Sequence, residues 1–418
     1  MMRVTLSVTL SLVCVAAIGQ PLSIKELPTP KDLPSTEQAV AWIDKDPAVV
    51  EARSALAAAG HGASALAAGS HEWTATASTQ RRIYRDASSS SQEWSAQLER
   101  AIRIGGKAGL DRQLGDVAQE IARARIGEAR LETARSLADL WLGWLAAGRA
   151  QELLREQLSF AEANLRAVDA RKRAGDASTL DQSVAQTDLA DAQRQASVAG
   201  SNLAKARAKL RVRFPEAPLD VRPLSDPADP VQPEAQWHER IVAAADPLKI
   251  AKGEVRKAEL NASRTKADRI PDPTLGVFMA SEAFRNERVI GVSISIPLSG
   301  SYRDERMRQS LQEVDVARAA LERARREIDA EVAVTYADAV GSTERWRLAE
   351  RGAEAAGNSA RLMQRAYTLG EADLQSLLLA RRQSLDASRS AVEARADALR
   401  WNYRLMIDAH LIWDLARD

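Results

Sequence analysis

Two short stretches of the chain, 174-AGDASTLD-181 and 369-LGEADLQS-376, share a glycine that is followed by an acidic residue. On both sides of each stretch, apolar residues and alanines recur at every third or fourth position, which is the period of packed α-helices. Glycine tolerates the positive φ with which many helices end. Each stretch therefore predicts a turn between two antiparallel helices, at Gly175 and at Gly370.

The helices next to these turns are long. The segments Lys107 to Arg173 and Tyr302 to Leu369 are followed by returning helices, about Ala177 to Val212 and Ala372 to Leu415. At about 1.5 Å per residue, either long helix would measure about 100 Å. A compact globular domain has no room for such a helix, so we expect helical hairpins that pack as coiled coils.

The turns belong to a unit that occurs twice in the chain. Gly175 and Gly370 are 195 positions apart, whereas Asp46-Pro47 and Asp246-Pro247 are 200 apart, so the second copy is shorter by a few residues. We expect the loop between its strands to be the shorter part. Internal repeats of this kind are typical of proteins assembled from similar structural units.

The two copies are expected to occupy residues 20–212 and 236–418. Between them, residues 213–235 contain six prolines, through which neither a helix nor a central strand could run. This segment is therefore predicted to be an extended linker. Each copy should begin with a single helix, about Thr36 to Ala68 in the first and Gln236 to Asp268 in the second.

The first residues are typical of an export signal. Arg3 precedes the mostly apolar run from Val4 to Ile18, and small residues lie just before Gln20. We expect residues 1–19 to be removed and the mature chain to leave the cytoplasm. Cys14, the single cysteine, lies in a poor lipid-attachment motif, so lipid anchorage is not expected.

Two pairs of short segments alternate between apolar and small or polar residues, as strands with one apolar face do. In the first copy, the polar segment Arg81 to Ser91 is expected to join the strands. Eight positions are expected to face lipid: Trp73, Trp94, Leu98, Leu275, Val277, Val292, Ile294 and Ile296. A small sheet of a soluble protein is the alternative interpretation of the same pattern.

Four strands are too few to close a membrane barrel, which needs at least about eight. Three copies would supply twelve strands. The predicted fold is therefore mainly α: a long α-helical coiled-coil barrel, continuous with a trimeric twelve-stranded membrane β-barrel to which each chain gives four strands.

Composition and motifs exclude several function classes. The formal net charge is +1, which argues against a nucleic-acid partner. No nucleophile elbow, phosphate-binding loop or zinc-protease motif is present, so we expect neither an enzyme nor a cofactor. A metal site is not expected because no two histidines have helical ligand spacing; they are His61, His71, His238 and His410.

Three kinds of motif carry a resemblance to a known family. They are the strand-to-helix signature 291-GVSISIPL-298, the two glycine turns, and a first-copy pattern, 93-EWSAQLER-100 followed by 103-RIGGK-107. With its duplicated unit, the sequence resembles the TolC-like outer membrane efflux proteins. It is most similar to the branch that serves heavy-metal exporters.

The resemblance implies a homotrimeric exit duct that lies in outer membrane lipid and extends into the periplasm. A periplasmic adaptor protein would connect it to an inner-membrane pump, of the proton-driven resistance-nodulation-division type. The duct would passively conduct divalent heavy-metal cations. An exit duct for drugs or other small molecules is the alternative, and a periplasmic coiled-coil adaptor or scaffold is a further one.

Eight residues at the turns are the adaptor-docking positions that the resemblance implies: Gly175, Asp176, Thr179, Asp181, Gly370, Glu371, Asp373 and Ser376. In a trimer, Glu371 and Asp373 would also form rings of like charge at the entrance. The archetype of the family holds its entrance shut with two aspartates, whose places here hold Ser376 and Leu379, so that gate does not carry over. Helix capping is the alternative role of the acidic residues.

Overall fold

A computed structural model describes residues 29–86, 89–219, 222–298 and 300–415. The predicted export signal, residues 1–19, and Cys14 lie outside the described residues. Within them, the first half of the chain forms α1 (Thr36–Lys45), α2 (Pro47–Ala68), β1 (Thr74–Tyr84), β2 (Ser89–Ala101), α3 (Lys107–Arg173) and α4 (Thr179–Arg213).

The second half repeats this order of elements. It forms α5 (Glu234–Ala244), α6 (Asp246–Ala267), β3 (Thr274–Glu282), β4 (Glu287–Ser295), α7 (Ser301–Thr368) and α8 (Leu374–Asp408). The helices of the two halves agree closely in length: α2 and α6 have 22 residues each, α3 and α7 have 67 and 68, and α4 and α8 have 35 each.

The first helix of each half is broken in two, which corrects the expectation of one continuous helix. Asp46 has an extended backbone, with ψ of 134°, and its side chain accepts a hydrogen bond of 2.9 Å from the Ala48 N–H. A proline disfavours the helical conformation of the residue before it, so Pro47 ends α1 and begins α2. In the second half the break lies at Ala245, with ψ of 106°.

The last helix ends at Asp408, earlier than the predicted Leu415. His410 has a φ of +52°, and the Leu411 N–H donates to the Met406 carbonyl at 2.8 Å. The chain then turns inward and buries Trp413, whose indole N–H donates to the Pro34 carbonyl at 3.1 Å. Burial of the apolar residues after the turn stabilises this ending.

The four strands form one antiparallel sheet in the order β1-β2-β3-β4. Most of the predicted loop Arg81 to Ser91 belongs to the strands, because β1 runs to Tyr84 and β2 begins at Ser89. The strands of the second hairpin have 9 residues each, against 11 and 13 in the first. The second hairpin is therefore shorter in its strands and not merely in its loop.

The large aromatic side chains are concentrated near the middle of α3. Trp141 is 1% exposed, stacks on Trp42 with ring centroids 6.2 Å apart, and meets the edge of Trp144. Its indole N–H donates to the Asp32 carbonyl at 2.7 Å, and the Asp32 carboxylate accepts a hydrogen bond from the Tyr403 hydroxyl. This core holds the N-terminal segment, α1, α3 and α8 together, and both ends of α3 extend beyond it.

Away from this core, small residues line the helix contacts. Ala185, Ala192 and Ala199 of α4 are buried at intervals of one heptad, the spacing of a coiled-coil seam. Gly115 of α3 lies so close to α2 that an added Cβ would be 2.7 Å from the Ala63 Cβ. Among the described helices, none combines the length and apolar character that a membrane-spanning helix needs.

Candidate functional site

Both glycine turns end their helices with the same hydrogen-bond pattern. Gly175 has a φ of +89°, its N–H donates to the Lys172 carbonyl, and the Asp176 N–H donates to the Arg171 carbonyl. Gly370 has a φ of +77° and repeats both bonds, because the N–H groups of Gly370 and Glu371 donate to carbonyls three and five residues back along α7. These are Schellman motifs, which need a residue that tolerates positive φ.

The acidic residues that follow the glycines divide into two groups. Asp181 and Asp373 cap the returning helices: Asp181 accepts hydrogen bonds from the Ser178 N–H and hydroxyl, and Asp373 accepts one of 2.7 Å from the Ser376 N–H. These bonds favour the ionised form and hold the pKa of both carboxyls below the usual range. Asp176 and Glu371 are exposed in the turns themselves.

The two turns are held beside each other. The Arg171 guanidinium at the end of α3 lies over the Tyr367 ring of α7, 5.4 Å from its centroid, and donates to the Tyr367 hydroxyl at 3.0 Å. Below them, Val168, Leu374 and Leu377 belong to a small buried cluster shared by both hairpins. We call the surface formed by residues 174–179 and 369–373 the tip.

The structure thus brings the predicted docking residues of both repeats to one end of the molecule. Gly175, Asp176, Thr179, Gly370 and Glu371 are exposed there. Asp181 and Ser376 are half-buried, because each takes part in the hydrogen bonding at the start of a returning helix. Nothing fills the space next to the two glycines, so larger residues would meet only the cost of positive φ.

A groove opens between α3, α4 and α8 beside the tip. It has a volume of about 1220 Å³ and contains the apolar side chains of Val184 and Leu378 as well as charged ones. Asp191 of α4 faces Arg382 of α8 across it, at 3.6 Å. A groove with an apolar floor and charged walls suits an amphipathic helix.

One face of the four-stranded sheet is apolar. Alternate residues of a strand share a face, and directly paired residues share it across strands. By this register, the face carries Ala75, Ala77, Trp94, Ala96, Leu98, Leu275, Val277, Met279, Ile290, Val292 and Ile294. The strand positions among the eight expected to face lipid all lie on it and are exposed, whereas Trp73 and Ile296 lie just beyond strand ends.

The opposite face of the sheet is polar and carries more acidic than basic residues. Its charged strand residues are Arg82, Glu93, Glu99, Glu282 and Glu287. Glu93 is buried and accepts two hydrogen bonds from Arg82, at 2.7 and 3.1 Å, as well as one from Gln80. One arginine therefore stands against four glutamates on this face.

A buried polar network joins the sheet to the long helices, and sequence reasoning missed it. Lys107, 1% exposed at the start of α3, donates to the Ile270 carbonyl at 2.7 Å and to the Asp272 carboxylate at 2.8 Å. Asp272 also accepts from the Ile104 N–H and contacts His71. Gly105 and Gly106, both with positive φ, form the corner between strand and helix that the 103-RIGGK-107 motif indicates. The partner of Lys107, Asp272, is 165 residues away in sequence and could not be identified from this motif.

Within the part of the chain that the structure describes, no three histidine, cysteine or acidic side chains are arranged to hold a metal ion. The described residues offer a polar sheet face, an apolar sheet face and a far tip.

Comparison with known proteins finds a family match in the second half of the chain. Residues 240–406 match the family described as outer membrane efflux protein. The cobalt-zinc-cadmium resistance protein CzcC of Cupriavidus metallidurans is 27% identical over 229 residues, which are 52% of this chain and 53% of CzcC. The match thus spans about half the length of that relative, and it confirms the predicted similarity to a heavy-metal branch.

Solved structures share the fold over nearly the whole chain. A membrane protein from Pseudomonas aeruginosa superimposes with a TM-score of 0.75 at 17% identity, covering 92% of this chain and 94% of that one. The MtrE outer membrane channel of Neisseria gonorrhoeae gives 0.73 at 16% identity, covering 96% and 94%. The family match in the second repeat and the fold of the whole chain agree with the motifs quoted above, and the sequence of residues 240–406 is similar to the outer membrane efflux protein family.

Proposed function

We propose that the protein is the exit duct of a tripartite efflux system and passively conducts divalent heavy-metal cations to the exterior. The match of residues 240–406 to the outer membrane efflux protein family supports a location in the outer membrane and a transport role without enzyme activity. The observation that carries the proposal is a single sheet with one apolar and one polar face, joined directly to helical hairpins whose tips lie far from it.

The duct is a homotrimer. In one chain the outer edges of β1 and β4 have no strand partner among the described residues. Open edges in lipid would leave backbone groups without hydrogen bonds, at several kcal/mol each. Three copies joined edge to edge give a closed ring of twelve strands, with the apolar face toward lipid and the polar face toward the lumen. Each chain contributes two repeats, residues 20–212 and 236–418, joined by the linker 213–235.

The tip is the docking surface for a periplasmic adaptor. It is exposed, it is the part of each chain most remote from the sheet, and its two turns are held in register by Arg171 and Tyr367. The groove beside it suits an added helix, such as one from an adaptor hairpin. Through the adaptor, the duct receives its substrate from an inner-membrane pump of the resistance-nodulation-division type.

The cargo proposal rests on charge and on the relative. The polar sheet face carries four glutamates against one arginine in each chain, so a trimer would surround the lumen with excess negative charge. Such a lumen favours cations without binding a particular one, because isolated carboxylates discriminate poorly among divalent ions. In addition, a cobalt-zinc-cadmium resistance protein is 27% identical to this chain over 229 residues.

Metal tolerance tests the proposal. The chain is expressed, together with the pump and adaptor of a heavy-metal efflux system, in a strain that lacks its own exit ducts. We expect growth at zinc, cobalt or cadmium concentrations that stop the strain carrying pump and adaptor alone. The matched control is a chain with both tip glycines replaced by arginine, checked for unchanged amount in the outer membrane. Equal growth with and without the duct, or rescue against drugs only, would contradict the cargo proposal.

A further inference from the structure

All charged residues on the apolar face of the sheet are arginines. By the pairing register, this face carries Arg81 on β1, Arg100 on β2 and Arg288 on β4, and it carries no aspartate or glutamate within the strands. The four glutamates of the strands lie on the opposite face. Since the middle of the face is apolar, its charge is confined to its two ends.

The arginines lie where lipid headgroups would meet a barrel. Arg100 is at the helix end of the sheet, with its guanidinium 5.7 Å from the centroid of the Trp73 ring. Arg81 and Arg288 are at the hairpin end, where only Ile83 extends the apolar face beyond Arg81. Arg288 is paired with Ser281, which in turn is paired with Trp94, so it follows directly on the apolar band.

Arg81 and Arg288 are exposed and lack acidic partners. Among the described residues, no carboxylate oxygen lies within 4.0 Å of either guanidinium; Arg81 donates only to the Ser90 hydroxyl, at 3.0 Å. Arg82, on the opposite face at the same end, is held by Glu93 at 2.7 Å and by Glu282 at 3.7 Å. Two neighbouring arginines thus differ: the one on the polar face is neutralised, and the one on the apolar face is not.

The positions of the two arginines also connect neighbouring chains. β1 and β4 are the edge strands of the sheet, so Arg81 and Arg288 lie at opposite edges of one chain. If three copies close a ring, β4 of one chain lies beside β1 of the next. Each Arg288 is then on the strand adjacent to an Arg81, and a boundary between two chains carries both guanidinium groups.

We propose that these boundaries bind the phosphate groups of anionic lipids in the outer leaflet. The inference rests on the proposed trimeric barrel. A guanidinium forms two parallel hydrogen bonds with a phosphate, and two of them at one boundary can hold one headgroup. The apolar band directly below accepts the acyl chains, so a phosphate carried by a lipid gains contacts that free phosphate does not. The pair forms a lipid site that is complete only in the assembled trimer.

Lipid retention by the purified trimer tests this site. The full mature protein is incorporated in vesicles of equal parts phosphatidic acid and phosphatidylcholine, extracted in mild detergent and weighed by native mass spectrometry, and its bound lipids are quantified. We expect phosphatidic acid to be enriched over phosphatidylcholine. Arg81→Gln with Arg288→Gln should reduce the enrichment about twenty-fivefold, because each basic residue at an anionic lipid surface contributes about a fivefold preference. Arg81→Lys with Arg288→Lys should keep most of it.

The matched control removes two arginines from the helices, Arg323→Gln with Arg351→Gln, both exposed on α7. It should retain the lipids of the wild type. Equal enrichment in the wild type and in the Arg81 and Arg288 glutamine variant would overturn the proposal. Displacement of the lipid by millimolar inorganic phosphate would overturn the lipid as the natural ligand. The same spectrum gives the mass of the particle, so absence of a trimer would be recognised as failure of the proposed function itself.

Discussion

At the scale of single residues, the tip uses each acidic residue differently. Asp373 is both a helix cap and an exposed charge. Among the described residues, Glu371 makes a hydrogen bond only with its backbone N–H, which donates to the Ala366 carbonyl. Asparagine caps a helix about as well as aspartate, so Asp373→Asn removes the charge and keeps the cap. The two roles that the sequence left open can therefore be separated by experiment.

We predict that Glu371→Gln with Asp373→Asn lowers the preference of the duct for cations over anions. Three-fold symmetry would repeat both charges around the entrance, where low-dielectric walls strengthen their field. Planar-bilayer recording in a salt gradient measures the permeability ratio. The control is Asp315→Asn with Glu313→Gln, exposed acids on α7 away from the tip. An unchanged permeability ratio in the tip variant would show that Glu371 and Asp373 do not act on passing ions and have only local structural roles.

The tip glycines give a second prediction at this scale. Gly175→Arg or Gly370→Arg should leave the trimer intact, because no atom lies within 4 Å of the added Cβ and the positive φ costs only about 1 kcal/mol. Adaptor crosslinking should be lost, since a bulky charged side chain then covers the tip. Gly352→Arg, in the open interior of α7, is the matched control. Loss of the trimer with unchanged crosslinking would contradict the docking role.

At the scale of elements, the sequence located some boundaries well and others poorly. The predicted bounds of α3 agree with the structure, and those of α7 agree to one residue at each end, because glycines mark the turns on both sides. The polar residues between Arg81 and Ser91 gave no strand signal, since their ladder is stabilised by pairs such as Arg82 with Glu93 that form only after folding. The sequence did not predict that α8 ends at Asp408, because the residue with positive φ after this helix is His410 and not a glycine that would mark the turn.

The corner between sheet and helix also depends on partners that sequence cannot reveal. We predict that Lys107→Met lowers the free energy of unfolding by about 3 kcal/mol, because it leaves the mostly buried Asp272 without its main cation. Lys45→Met, which breaks an exposed pair with Glu216, should cost less than about 1 kcal/mol. Urea-induced loss of helical circular dichroism compares the two variants. Equal destabilisation would show that burial of the Lys107 pair does not matter.

At the scale of the whole molecule, the duplicated unit, the helical hairpins and the sheet were predictable because each leaves a local period in the sequence. The proposed assembly is different, since in a trimer the edges of β1 and β4, the lumen charge and the entrance rings would acquire their roles only between chains. In the proposed barrel, the arginines and apolar residues of one face would meet lipid, and the glutamates of the other face would meet water.

The most direct measurement is the mass of the particle extracted from outer membranes in mild detergent, by native mass spectrometry of the mature chain. We predict three chains per particle, because four strands with two open edges cannot form a closed ring alone. A particle of one chain, recovered from the periplasmic fraction without membrane extraction, would contradict it.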